Sequence, residues 1–96
     1  MTIAELEHMD VIHCPIYEEA LQILKMADSQ GYKWCYGKSF LEDINWIKYQ
    51  GETCYNIRRG EYCNKAYYLK GKYRIFEAKD FLEPTVQDTI SSLLIF

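Results

Sequence analysis

The sequence predicts an α+β fold: one amphipathic helix packed on a small three- to four-stranded antiparallel sheet, plus a C-terminal helix. Three observations carry this. Ile16, Ala20, Ile23, Leu24 and Ala27 recur at i, i+4, i+7, i+8 and i+11, a single apolar stripe at helical period. Several short segments rich in aromatic and β-branched residues alternate at period two, with glycines between them. Finally, the 96 residues are 49% hydrophobic and 26% charged, the balance of a folded globular chain rather than a disordered one. A chain of this length forms one domain, residues 1–96, and buries only roughly 60–70% of its unfolded surface, so each large side chain counts.

The elements follow in order. The pattern admits a frayed helical turn at "IAELEHM" and a short strand at "MDVIHC". "CPIYEEALQILKMADSQG" is the clearest helix. Pro15 suits its first position, Glu18 and Glu19 favour the positive end of the helix dipole, and Gly31 supplies the stop. "YKWCY" reads as a strand ending at Gly37. "SFLEDINWIKYQGE" fits neither period; Ser39 with Glu42 suggests a capping box for one turn, and Trp46 with Ile47 anchors the loop back on the core. "TCYNIRRGEYCN" reads as a hairpin turning at Arg59-Gly60, with Ile57 facing Tyr62 and Tyr55 facing Asn64. Cys54, Asn56, Arg58, Glu61 and Cys63 then share its other face. "KAYYLKGK" predicts a helical turn ending near Gly71, and "YRIFEA" a strand with Tyr73 and Ile75 opposite Arg74 and Phe76. In "TVQDTISSLLIF", Thr85 and Asp88 cap a helix with Val86, Ile90, Leu93 and Leu94 on one stripe. An apolar end of this kind is either docked on the sheet or shared with a second copy as a homodimer.

Charge is regional. Residues 1–30 carry six acids against one lysine, whereas residues 51–79 carry seven bases against three acids, within a total of −3. The basic segment also holds Tyr55, Tyr62, Tyr67, Tyr68 and Tyr73. Arginine offers bidentate recognition of phosphate or carboxylate, and aromatic faces stack bases. Trp34, Tyr36, Trp46, Arg58, Arg59, Lys72 and Arg74 are therefore the candidate ligand-binding residues. The competing reading makes the aromatics core and the bases a solvated rim.

A catalytic reading finds little to stand on. His8 and His13 lie outside any motif, and no P-loop, dinucleotide glycine pattern or H-E-x-x-H is present. The expectation is a non-enzyme without catalytic residues, metal or cofactor. Glu42 and Asp43 read as a solvated turn. Cys14, Cys35, Cys54 and Cys63 form no C-x-x-C pair, and "MTIAELEHMD" lacks the regions of a signal peptide, so the thiols are expected free in a cytoplasm. A zinc set of Cys54, Cys63, Cys14 and His13 lacks the close ligand pairs structural zinc uses. The longest apolar run, "LLIF", is far below the roughly 20 residues of a membrane helix.

The run "PIYEEALQILKMADSQGYKWCYGKSFLEDINWIKYQGETCYNI", followed by "GKYRIFEAKDFL", resembles a set of small proteins encoded by bacteriophages and prophages. The resemblance covers residues 15–82, leaving residues 83–96 and the N-terminal segment outside it. It implies a phage accessory protein acting in the host cell cytoplasm, similar to small anti-defence proteins. Such proteins block a bacterial defence protein by direct binding or sequester its nucleotide signal. The expected function is thus a non-catalytic inhibitor of an anti-phage defence component; the alternative is a small nucleic-acid-binding regulatory protein, for which strong salt dependence would be the signature.

Overall fold

The computed structural model describes residues 1–82. Within them the chain is α+β, with a four-stranded sheet in the order β3-β2-β1-β4 and one main helix. The strands are β1 (Asp10–His13), β2 (Thr53–Asn56), β3 (Glu61–Asn64) and β4 (Arg74–Glu77); the helices are α1 (Tyr17–Ser29) and α2 (Lys65–Lys70). A 3-10 turn over Ile3–Glu5 replaces the frayed helical turn of "IAELEHM". The expected C-terminal helix, and with it the expected homodimer contact, falls on residues 83–96, outside the described residues.

The sheet is mixed, which corrects the antiparallel expectation. β1 runs antiparallel to β2 but parallel to β4, in the register Asp10↔Arg74 to His13↔Glu77. Two side-chain contacts mark the ends of that parallel pair. Arg74 Nε and Nη2 donate to Asp10 Oδ1 and Oδ2 at 2.7 and 2.8 Å, and His13 Nδ1 lies 2.9 Å from Glu77 Oε1. The "MDVIHC" segment is consequently a central strand. Val11 and Ile12 are fully buried on opposite faces of it, as a strand between two neighbours requires.

α1 follows its stripe. Ala20, Ile23, Leu24 and Ala27 are all fully buried. Its start differs from the expectation, because Cys14 N still donates to Thr53 O at 2.9 Å and the backbone stays extended through the cap Ile16, which remains 49% exposed. At the other end Gly31, at φ +91, and Tyr32 donate back to Asp28 O and Ala27 O, the paired bonds of a Schellman stop.

"YKWCY" is not a strand. Gly37 N donates to Trp34 O and Trp34 N to Lys38 O, both at 2.9 Å, so the chain turns back on itself. The aromatic alternation instead serves packing: Trp34 enters the core and Tyr36 stacks on its face at 6.1 Å. The hairpin exists, but its turn holds four residues. Tyr55 faces Tyr62 and Cys54 faces Cys63 directly, a register two residues from the expected one, which keeps each side chain on its expected face. Gly60, at φ +68, closes the turn. α2 and β4 fall where expected, with Asn64 capping α2 by accepting from Tyr67 N at 2.8 Å and Gly71 following its last residue.

The main core lies between α1 and one sheet face, and takes in Ile12, Tyr55, Trp34 and Phe40. A smaller cluster of Val11, Cys54 and Tyr68 fills the opposite face beneath α2. Among the described residues no helix is long and apolar enough to cross a membrane.

Candidate functional site

The segment between α1 and β2 has little regular structure, yet its backbone is tied down from below. The carbonyl of Asp43 accepts from Trp34 Nε1 at 2.8 Å, and that of Ile44 accepts from the Tyr55 hydroxyl at 2.8 Å. Trp46 O accepts from Gln50 N and Thr53 Oγ1 at 2.7 and 3.2 Å, while Trp46 Nε1 donates to Cys14 O at 2.9 Å. Trp34, Tyr55 and Thr53 are themselves buried, so the loop hangs from core side chains. Asn45 and Gln50 take positive φ of 57° and 46°, conformations that cost energy outside glycine and that this web of bonds holds in place.

The result is a groove of about 580 Å³ lined by Tyr17, Ile44, Trp46, Ile47 and Tyr62, with Glu42, Asp43, Asn45 and Lys48 among the polar groups. That volume falls within the roughly 300–1,000 Å³ of small-ligand clefts. Trp46 is half-buried and stacks on Tyr17 with ring centroids 5.9 Å apart. Ile47 does not anchor the loop on the core as expected: it is 81% exposed, an unusual position for so large an apolar side chain on a loop held this firmly.

Both carboxylates are positioned through one oxygen. Glu42 Oε2 accepts from Ser39 N at 2.9 Å, and the Ser39 hydroxyl accepts from Leu41 N, so the expected Ser39–Glu42 box forms around a single turn. Asp43 Oδ2 accepts from the Tyr36 hydroxyl at 3.1 Å, with Lys38 Nζ 4.0 Å away. Lost solvation raises the Tyr36 pKa; the Asn45 amide opposes the shift and the Asp43 carboxylate adds to it. Lys48 sits over the neighbouring Tyr49 ring, its ammonium 5.2 Å from the centroid.

The candidate ligand-binding residues divide among three places. Trp46 is in the groove. Trp34 is 2% exposed in the core, edge-on to Phe40 at 4.7 Å, and Tyr36 covers it, 54% exposed, beside the groove's acidic side. The four cations lie at one end of the sheet: Arg58 and Arg59 in the β2–β3 turn, Lys72 at φ +61 after α2, and Arg74 at the start of β4, next to the β1 end that the hairpin turn flanks. Arg74 spends Nε and Nη2 on Asp10, which holds the Asp10 carboxyl below its ordinary range. Arg59 lines a 260 Å³ hollow with Glu61, Cys63 and Tyr62, Tyr67, Tyr68 and Tyr73; the other three cations do not.

Sequence reasoning missed Tyr17, Ile44, Ile47 and Tyr62 as groove residues and took Glu42 and Asp43 only as a solvated turn. The available signal was the Trp46-Ile47 pair in a stretch that obeys neither period. Among the described residues no three His, Cys, Asp or Glu side chains could hold a metal ion. Cys14 and Cys54 are buried, Cys63 is partly buried and Cys35 is exposed, all as free thiols. Burial pushes the Cys54 thiol up to about 12 and raises that of Cys14 further.

No protein-family model, no curated protein and no solved structure matches the chain.

Proposed function

We propose that this is a phage-type, non-catalytic binding protein that inhibits a bacterial anti-phage defence component by direct contact, in the host cell cytoplasm. The observation that carries the reading is the pre-ordered groove beside Trp46, with Ile47 projecting from its rim. Protein interfaces of about 1,600 Å² concentrate their energy in a few buried aromatic and apolar anchors. A loop already held in its bound shape also forfeits little entropy on association. The carboxylates at the groove make it a poor seat for an anionic nucleotide.

Sequestration of a nucleotide signal is a second reading, supported by the hollow where Arg59 meets four tyrosines. Its 260 Å³ is small for a nucleotide, which places this reading behind direct binding. A nucleic-acid regulator would use Arg58 and Arg59 at the exposed turn.

Native mass spectrometry of the protein after incubation with lysate from a phage-infected, defence-carrying host separates the three. Direct binding predicts a retained host protein that Ile47→Asp loses and the Arg58→Glu/Arg59→Glu variant keeps. A retained mass of a few hundred daltons, lost on denaturation, would instead support sequestration. Loss of all binding on charge reversal at the turn, together with steep salt dependence, would support the nucleic-acid reading.

A further inference from the structure

We infer that the groove takes a segment of a protein partner that places an apolar side chain beside a lysine or arginine. This rests on the groove reading above and adds the chemistry of what fills it. The floor and walls are aromatic and aliphatic: Tyr17 stacked on Trp46, with Ile44, Ile47 and Tyr62. That surface accepts one bulky apolar group of the partner, which gains by leaving water.

Of the three charged residues that line the groove, two are carboxylates. Glu42 and Asp43 both line it, each fixed by a hydrogen bond to one oxygen while Glu42 Oε1 and Asp43 Oδ1 take no bond among the described residues. Each carboxylate is therefore aimed before a partner arrives and retains a free acceptor. Lys48, the cation in the lining, is engaged with the Tyr49 ring, and Lys38 approaches only the Asp43 Oδ2 that Tyr36 already occupies, at 4.0 Å in an exposed pair. A phosphate or an acidic peptide would meet these carboxylates unfavourably, whereas an ammonium or guanidinium gains a charge-assisted bond.

A second copy of this chain has related chemistry to offer, since Tyr67 and Leu69 on α2 are 57% and 59% exposed between Lys65 and Lys70. The groove lies on the α1 side of the sheet and α2 on the other, however, so a groove-to-α2 contact is head-to-tail and builds open chains unless it closes into a ring. The groove is therefore assigned to a different protein.

The test uses ¹⁵N-labelled full-length protein and three acetylated, amidated pentapeptides, GKLKG, GELEG and GKSKG. The Trp46 indole signal serves as the reporter, since Trp46 lines the groove, and the amides of α2, which packs on the other face of the sheet, serve as the control. GKLKG should shift the Trp46 indole with a Kd on the order of millimolar, the range of so small a ligand. The α2 amides should stay in place, and GELEG and GKSKG should bind more weakly. The Glu42→Gln/Asp43→Asn variant should lose the preference for GKLKG over GELEG by roughly three- to tenfold, the size of one or two exposed ion pairs. Equal or tighter binding of GELEG would overturn the inference, as would failure of every peptide to move Trp46. Concentration-dependent shifts of both Trp46 and the α2 amides without peptide would overturn it in favour of a second copy. If the peptides fail while Ile47→Asp still abolishes capture of the host protein, the partner chemistry falls and the groove reading stands. If Ile47→Asp leaves capture intact, the groove reading itself falls.

Discussion

Gly60 has no room for a methyl group. A Cβ there would lie 2.4 Å from Lys33 O and 2.5 Å from Cys35 N, both backbone atoms, and the residue is held at φ +68. The close approach exists because Cys35 N donates to Gly60 O at 3.1 Å, joining the hairpin turn to the segment that carries Trp34. Fully buried Asn56 completes the joint: its Oδ1 accepts from Arg59 N and its Nδ2 donates to His8 O, 48 residues away. Gly37 offers the control, with φ +92 and nothing within 4 Å of an added Cβ. Gly60→Ala should therefore cost about 3 kcal/mol, the sum of a left-handed backbone penalty and an unrelieved clash, and Gly37→Ala about 1 kcal/mol. Urea midpoints of the two variants check this. Equal losses would mean that the turn relaxes away from residues 33–35.

At the scale of elements, the pairing of β1 with β4 departs furthest from sequence expectation. α1, α2 and the faces of β4 were legible because their signals are local: the stripe of Ala20, Ile23, Leu24 and Ala27, the Gly71 stop, the alternation of Ile75 and Phe76. The direction of a strand's neighbour is not local. Asp10 and Arg74 stand 64 positions apart, and nothing in either segment says that they run parallel. "YKWCY" misleads for a related reason, since aromatic alternation marks packing and Gly37 turns the chain within the same stretch. The hairpin register slipped by two because glycine suits the end of a four-residue turn as well as a two-residue one.

The β1–β4 pairing also makes a pH prediction. The Arg74 guanidinium holds the pKa of Asp10 below its ordinary value, so the carboxylate binds its proton less readily folded than unfolded. Its contribution to stability is thus fully present above the ordinary aspartate range and is lost as pH falls through the lowered folded value, in the window below about pH 4. Urea unfolding from pH 2 to 7 should show wild type losing stability more steeply in acid than Asp10→Asn. Parallel curves would mean that the pair adds nothing to the sheet.

At the scale of the whole molecule, a two-sided sheet does two jobs. One face, packed by α1, supports the loop that shapes the groove; the cations gather instead at the end of the sheet where β2 turns into β3. Of the candidate site, Trp46 was legible as an aromatic in an irregular stretch. Tyr17 and Ile47 were not, because an exposed isoleucine is decided by loop geometry, which depends on donors as distant in sequence as Trp34 and Tyr55. The most direct measurement of the central claim is phage plating on a defence-carrying host that expresses this protein. Wild type and the Arg58→Glu/Arg59→Glu variant should both restore plaques, and Ile47→Asp should not, although it folds as well as wild type by urea midpoint. Restoration by Ile47→Asp together with loss in the arginine variant would contradict the account and move the function to the cationic end of the sheet.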